Sequence, residues 1–403
     1  MVSLDQNTHE LRNSRRKERI MVRKAILVIA AAVLLIAVAA CAPAPPEEIK
    51  IGAIMSKTGA LAAMGELIGD CAELAVKEIN AAGGVLGKPV KLLLEDDATD
   101  PAKSLEAFKK LVEVDGVEVV VGPMISGAVM SIGPYAKERG VLLVSPSATS
   151  PAISEEPWTD FAFRTTPSDT LQGKALAQVI TERGFKKVAI LVMDNAYGVG
   201  IEVVAEEELK DKVDIVASIR YDPAKLDYLT ELGIIKDKKP DAVLHVGYHD
   251  DAAVVYRQAL ELGLDAIQWI AAEGVYGFDF KISEDASEFM RKAVIGTGLT
   301  AVGPAQDEFR AAYKKEFGVD PGLLCDTAYD AVKLLALAIE KAGVYDGAKI
   351  RDALWEVGKE YAGVSGTITF NEKGDRVSGT YEVWKVDLVE GEYSWERIGL
   401  ISL

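Results

Sequence analysis

Short apolar runs alternate with longer segments of helical periodicity along most of this chain. Val117–Val121 is a β-branched run, which predicts a parallel strand buried on both faces. A helix is predicted from near Ala128 to Arg139, and Val141–Val144 is the next predicted strand. The same strand–helix order recurs before and after this stretch. It predicts parallel sheets flanked by helices, and therefore an α/β fold.

Two loops rich in hydroxyl groups follow these two strands. Residues 122–127 lead into the predicted helix, and residues 145–151 follow the next strand. In open α/β sheets, ligands bind at the carboxyl ends of strands, and a helix N-terminus favours an anion. Serine and threonine also cap helices and fill turns. Taken alone, the two loops fit a carboxylate site and ordinary turns equally well.

The alternation is interrupted at residues 161–167 (FAFRTTP), which we interpret as a strand that crosses between two lobes. It then restarts and reaches a predicted strand at 291–299, followed by three helices and a terminal hairpin with its turn at 372–375. We expect two Rossmann-like lobes with parallel central sheets and a hinge of several crossings. The predicted lobes are residues 47–166 with 299–378, and residues 167–298 with 379–403. A ligand would lie in the cleft and be enclosed by hinge closure.

The N-terminal segment has the features of an export signal. Residues 25–40 form a sixteen-residue apolar run, which is short for a membrane span. The run ends in Val-Ala-Ala-Cys at 38–41, which resembles a bacterial lipobox with Cys41 as the lipidated residue. We expect a signal peptide at 1–41, with translation starting at Met1 or Met21, and a Pro-rich tether at 42–46. An uncleaved anchor helix is the alternative, and both place the remainder outside the cytoplasmic membrane.

The charge and the reactive side chains exclude several classes of function. The 403 residues contain 45 Lys and Arg against 62 Asp and Glu, a net charge of −17 that argues against binding nucleic acid. With three cysteines and three histidines, neither a zinc site nor a disulfide framework is expected. Cys71 and Cys325 are expected to be buried free thiols, and a disulfide bond between them is the alternative that the sequence leaves open. A metal at His249 would need a distant third ligand, so no metal or cofactor is predicted.

The motifs of common catalytic sites are absent from the sequence. It has no G-x-S-x-G nucleophile elbow, no H-E-x-x-H motif and no P-loop. It also shows no nucleophile–base pair, so we do not expect an enzyme.

Three predicted strand ends in the second lobe carry polar side chains that would face the cleft. They are expected to meet hydroxyl-bearing residues of the first lobe. The second lobe contributes Tyr197, Tyr248 and Glu273, and the first lobe contributes Ser126, Ser147 and Thr149. Glu273 lies among small apolar residues, where a carboxylate is costly unless a cation pairs with it. A ligand ammonium would serve this purpose. The alternatives are ordinary packing for the tyrosines and a structural salt bridge for Glu273.

Several segments resemble a known family in sequence and in order. They are IGAIMSKTGALAAMG, INAAGGVLGKPVKLLLEDDATDP, VVVGPMISGAV, SPSATSP, FRTTPSD, DNAYGVG, VGYHDDA, AAEGVYG and CDTAYDAVKLLALAIEKAG. Together they resemble the Leu/Ile/Val-binding proteins, which are type I periplasmic substrate-binding proteins of ABC amino-acid importers. The resemblance covers the chain from about residue 47 to its end.

The resemblance implies a role for each matching residue. Ser126 would hold the ligand carboxylate, and Thr149 would bind carboxylate and ammonium together. Ser147 would offer its main-chain carbonyl to the ammonium, and Glu273 would be the ammonium-binding acid. Tyr197 and Tyr248 would meet the ligand on closure.

Two further residues, Met64 and Leu324, fall where the family has its side-chain pocket. Met64 replaces an aromatic residue of the family, so the resemblance leaves the ligand's side chain open.

The expected function is therefore that of an extracytoplasmic receptor. It would be a monomer, tethered to the membrane by a lipid anchor, that captures a branched-chain amino acid and delivers it to the permease of an ABC importer. A receptor for amides, urea or aromatic acids on the same fold is the first alternative. A sensory lipoprotein that signals to a membrane protein is the second.

Overall fold

The computed structural model describes residues 48–403, which form two large β-sheets flanked by helices. The first sheet has six parallel strands in the spatial order β13-β5-β4-β3-β1-β2. Its strands are β1 (Ile49–Met55), β2 (Val90–Asp96), β3 (Val119–Val121), β4 (Leu142–Ser145), β5 (Ala162–Pro167) and β13 (Asp375–Arg376). The strands β3 and β4 are completely buried, as their continuous apolar sequences predict.

The second sheet has seven strands in the order β15-β14-β10-β9-β8-β6-β7. Its parallel strands are β6 (Lys187–Met193), β7 (Asp214–Tyr221), β8 (Ala242–Val246), β9 (Gln268–Ala271) and β10 (Val294–Leu299). An antiparallel hairpin, β14 (Thr380–Val389) and β15 (Glu392–Ser402), extends the sheet beyond β10. A separate two-stranded sheet pairs β11 (Tyr361–Gly363) with β12 (Gly366–Ile368).

Eleven α-helices connect the strands in the described part of the chain. They are α1 (Ala62–Ala81), α2 (Pro101–Glu113), α3 (Ser126–Arg139), α4 (Asp169–Glu182), α5 (Ala196–Leu209), α6 (Leu229–Lys238), α7 (His249–Glu261), α8 (Glu284–Ala293), α9 (Gln306–Phe317), α10 (Cys325–Ala342) and α11 (Gly347–Val357). None of the helices within residues 48–403 combines the length and the apolar character needed to cross a lipid bilayer.

The strand order fixes where a ligand can bind. In each sheet the order reverses beside the first parallel strand, between β1 and β3 in one and between β6 and β8 in the other. Such switch points leave a crevice at the carboxyl ends of the strands, which is where ligands bind in open α/β sheets. The chain passes between the two sheets three times, after β5, after β10 and after β13. The predicted α/β fold with two Rossmann-like sheets and several crossings is confirmed.

One expectation about the cysteines is wrong. Cys71 in α1 and Cys325 at the start of α10 form a disulfide bond, with their Cα atoms 5.5 Å apart. Both residues are buried, as predicted for free thiols. Because 254 residues separate them, the sequence gives no sign that the two helices pack side by side.

Two elements differ from the sequence predictions. The segment predicted as a strand from Arg291 begins as the last turn of α8, a helix that Ser283 caps by accepting a hydrogen bond from the Ala286 amide at 3.2 Å. The predicted turn at 372–375 is present, since Phe370 and Arg376 form an antiparallel bridge across it. The strand beyond that turn, β14, has its own hairpin partner β15, which the sequence analysis did not predict.

The predictions of a signal peptide at 1–41, a lipidated Cys41 and a tether at 42–46 lie outside the described residues.

Candidate ligand-binding site

The eight residues singled out from the sequence all line one small cavity between the loops of the two sheets. Five more residues complete the lining, and they are Leu61, Met124, Ile125, Gly274 and Leu323. The sequence analysis missed them, although four of the five are immediate neighbours of predicted residues or belong to the same loops. The cavity therefore joins hydroxyl groups, one acid, two tyrosines and an apolar wall.

Ser126 is the first residue of α3, directly after the loop that follows β3. The helix begins two residues earlier than predicted, which places this serine in its first turn, where amide groups and a partial positive charge are available. The Ser126 hydroxyl oxygen accepts hydrogen bonds from the amides of Thr149 at 3.2 Å and Ser150 at 3.1 Å. Its own proton is left to donate to an acceptor such as a ligand carboxylate.

The loop after β4, which carries Ser147 and Thr149, is held in place by buried polar contacts. The Ser147 hydroxyl donates to the Met124 carbonyl at 2.9 Å, which joins this loop to the loop before α3. Beneath the loop, the fully buried Arg164 guanidinium donates to the Ser150 carbonyl at 2.8 Å and from Nε to Asp375 at 2.8 Å. The loop is therefore fixed before any ligand arrives.

Tyr197 and Tyr248 stack on the second-sheet side of the cavity, with ring centroids 5.6 Å apart and planes 8° from parallel. The Tyr197 hydroxyl accepts a hydrogen bond from the Gly274 amide at 3.1 Å. A Cβ atom at Gly274 would lie 2.4 Å from the Gly247 carbonyl oxygen and 3.1 Å from the Tyr248 ring. Only glycine fits between the two rings and the neighbouring backbone, so this residue fixes their arrangement.

Glu273 reaches the cavity from the loop after β9, and 5% of its surface is exposed. Within residues 48–403 it forms no ion pair with a lysine, arginine or histidine. The predicted alternative of a structural salt bridge is therefore not what the described residues form. Burial raises the pKa of Glu273 to about 7, although the Leu299 backbone amide opposes this effect. A buried acid without a cation is suited to accept one from a ligand.

The apolar wall comes from the two elements joined by the disulfide bond. Met64 lies in the first turn of α1, and Leu324 caps α10 in the left-handed backbone conformation, with φ of 62°. The Thr327 hydroxyl in α10 donates a hydrogen bond of 2.8 Å to the Pro146 carbonyl in the loop after β4. The wall is thus tied to the loop that carries the hydroxyl groups.

Comparison with known proteins identifies the family. The sequence model described as periplasmic binding protein matches residues 48–392. The chain belongs to this family. The Leu/Ile/Val-binding protein BraC3 of Rhizobium johnstonii is 32% identical over 352 residues, which is 86% of this chain and 94% of that protein. The resemblance to the Leu/Ile/Val-binding proteins is therefore confirmed.

Two solved structures show what similar periplasmic binding proteins hold. The branched-chain amino acid transporter substrate-binding protein LivJ of Streptococcus pneumoniae, in complex with isoleucine, has a TM-score of 0.76 and 29% identity over 87% of this chain and 99% of that one. A solute-binding protein of an ABC transporter from Rhodopseudomonas palustris, in complex with 3,4-dihydroxybenzoic acid, has a TM-score of 0.72 and 25% identity over 88% and 97%. Family membership makes this chain an extracytoplasmic solute receptor and leaves the class of ligand open.

Proposed function

We propose that this periplasmic binding protein captures an aliphatic, branched-chain amino acid in the cavity between its sheets and delivers it to an ABC importer. One observation carries the proposal. The cavity holds a buried acid, Glu273, which has no cationic partner among residues 48–403, opposite a hydroxyl group at a helix N-terminus, that of Ser126. An α-amino acid supplies the matching charges, an ammonium for the acid and a carboxylate for the hydroxyl and the helix amides.

The other lining residues complete the proposed contacts. Thr149 binds the carboxylate and the ammonium together, and the Ser147 carbonyl accepts from the ammonium. Tyr197 and Tyr248 cover the ligand from the second sheet. Met64 and Leu324, with their apolar neighbours, contact an aliphatic ligand side chain, which needs no hydrogen-bond partner. This apolar wall favours leucine, isoleucine or valine.

Ligand capture is coupled to closure of two lobes, for which we propose the boundaries 47–166 with 299–378 and 167–298 with 379–403. The carboxylate contacts come from the first lobe, and Glu273 comes from the second. Since neither lobe satisfies both ends of the ligand, binding stabilises the closed arrangement. The three crossings between the sheets act as the hinge.

A receptor for aromatic acids is the second candidate, because a structure of the same fold holds 3,4-dihydroxybenzoic acid. Such a ligand brings a carboxylate for Ser126 and carries no ammonium. Glu273 would then remain a buried acid with no cationic partner among residues 48–403, so the amino-acid proposal accounts for one more feature of the cavity.

Isothermal titration calorimetry separates the two candidates. Leucine, isoleucine, valine and 3,4-dihydroxybenzoate are titrated into the purified protein and into a Glu273→Ala variant. Leucine binding is expected to weaken by more than about 2 kcal/mol in the variant, because a desolvated ammonium loses its partner. The control is Glu202→Ala, which removes an equally buried acid that pairs with Arg220. Unchanged leucine affinity in Glu273→Ala would contradict the assignment.

Lipid anchoring at Cys41 and a monomeric state are further parts of the proposal. The sequence Val-Ala-Ala-Cys at 38–41 supports the anchor. Radiolabelled palmitate should be incorporated into the wild-type protein in cells and be absent from a Cys41→Ser variant. Gel filtration of the detergent-free protein lacking residues 1–41 measures the oligomeric state.

A further inference from the structure

A second buried acid lies behind the cavity and was not identified from the sequence. Asp169 is the first residue of α4, immediately after the crossing strand β5, and its side chain is fully buried. Its amide donates to the Thr149 carbonyl at 2.8 Å, which places its backbone directly behind a cavity residue. The Thr149 hydroxyl lies nearby, but in the described part of the chain neither Asp169 carboxyl oxygen receives a hydrogen bond of good geometry.

Glu273 is the strongest charged neighbour of Asp169. Burial, followed by the charge of Glu273, raises the pKa of Asp169 well above its ordinary value. Gln172, one turn further along α4, faces Glu273 and likewise completes no hydrogen bond of good geometry. The three side chains form one buried polar cluster, in which the Asp169 and Gln172 side chains lack well-formed hydrogen bonds to other described residues.

The remaining groups around the cluster do not neutralise it. Arg164 is the cation that faces Asp169, and it is already paired with Asp375 and bonded to the loop after β4. Tyr197, Tyr248 and Tyr381 face the two acids from α5, from the start of α7 and from β14. Burial raises the pKa of each of these phenols, so they stay neutral near pH 7.

Two buried carboxyl groups without a free cation cannot both be ionised, because each unpaired charge would incur a large desolvation cost. The cluster therefore keeps a proton in the free protein at a pH where exposed carboxyl groups have lost theirs. A ligand ammonium changes this balance, since it brings a positive charge to the place that the proton occupied.

We propose that Asp169 and Glu273 form a carboxyl pair that holds a proton in the free protein and releases it to solvent when a ligand ammonium binds. The inference rests on the proposed function, because it requires an amine ligand. The charge balance is simple. One proton leaves the pair for bulk water and one ammonium enters, so the summed charge of the pair and the ammonium equals that of the protonated pair, while the ligand carboxylate binds separately at Ser126. Capture is therefore selective for cationic amines over neutral amides and over acids without an amine.

Calorimetry in two buffers tests this directly. L-leucine is titrated at pH 7 into the full-length protein in phosphate and in Tris, whose ionisation enthalpies differ. The difference between the observed heats gives the number of protons released, and we expect between about half a proton and one proton per leucine. The dissociation constant should also rise as the pH falls from 8 to 5, approaching about tenfold per pH unit. Equal heats in the two buffers would overturn the inference, whereas no heat of leucine binding at all would overturn the proposed function.

The variant Asp169→Asn identifies the second member of the pair. Its amide keeps the shape of the carboxyl and cannot hold the proton, so proton release should fall by more than half. Glu202→Gln, at a buried acid that pairs with Arg220, is the matched control and should release as many protons as the wild-type protein. Undiminished release in Asp169→Asn would exclude Asp169 from the pair. Thermal unfolding checks the fold, and the wild-type buffer and pH data decide the inference if the variant does not fold.

Discussion

Replacing Ser126 by alanine removes one oxygen atom that has two functions. It accepts hydrogen bonds from the amides of Thr149 and Ser150, which hold the two hydroxyl-rich loops together. In the proposed complex, its proton also binds the ligand carboxylate. The variant should therefore affect both the stability of the free protein and its affinity for leucine, and the two effects can be measured separately.

The magnitudes follow from the contacts. Two amides lose their acceptor, and a buried donor left unsatisfied costs about 1–3 kcal/mol. We expect the free energy of unfolding to fall by about 2 kcal/mol or more, measured by urea denaturation. A hydrogen bond to a charged group contributes about 1.5–3 kcal/mol. Leucine binding should therefore weaken by about 10- to 150-fold, measured by calorimetry.

Ser147→Ala is the matched control for this experiment. Among residues 48–403, its hydroxyl makes one hydrogen bond, to the Met124 carbonyl, and its proposed ligand contact is a backbone carbonyl that the substitution keeps. Leucine affinity should change by less than about threefold, since the loss is a single neutral hydrogen bond. If Ser126→Ala loses stability but binds leucine as tightly as the wild-type protein, the hydroxyl only links the two loops, and the carboxylate site is refuted.

Three further predictions concern the rings, the disulfide bond and the pH dependence of stability. Gly274→Ala should weaken leucine binding at least about tenfold in calorimetry, because its Cβ would displace the ring of Tyr248 or the Gly247 carbonyl oxygen, which would lie 2.4 Å away. Unchanged affinity would show that the ring arrangement is not required for binding. The double variant Cys71→Ser/Cys325→Ser should lose about 2–5 kcal/mol of unfolding free energy in urea, since the bond constrains a very long loop of the unfolded chain; an unchanged denaturation midpoint would contradict this. Burial raises the pKa of Asp251 to about 7 from 3.8. Its contribution to stability is therefore complete below about pH 4 and is lost as the pH rises through 7. Asp251→Asn should flatten that part of the pH profile of urea unfolding, and a profile as steep as that of the wild-type protein would refute the shift.

The candidate residues chosen from the sequence lie at one cavity because their positions depend on short-range order. Parallel strands end at one edge of a sheet, so a polar residue that follows a buried apolar run must lie at that edge. Ser126, Thr149, Tyr197 and Glu273 each lie within a few residues of the end of such a run, and all four reach one cavity. Their contribution to ligand binding stays a prediction until it is measured.

Other features depend on contacts between distant segments. The second strand of the terminal hairpin, β15, has exposed and half-buried residues along most of its length, so its sequence lacks the buried run that marks the central strands. Asp169 follows a predicted crossing strand. Its position was a signal in the sequence, because an acid directly after FRTTPS ends a buried segment. Nothing local shows that its carboxyl group would be buried without a protein partner.

The sequence by itself determined the α/β class, the alternation of strands and helices, and the loops that carry the hydroxyl groups, the tyrosines and Glu273. These properties follow from hydrophobic periodicity and from the chain reversals between neighbouring elements. Only the tertiary structure decided that Cys71 meets Cys325, that Ser126 accepts from two amides of another loop, and that Asp169 is buried close to Glu273. Each of these depends on how elements far apart in the chain pack, and packing sets the burial on which the proposed proton-holding carboxyl pair depends.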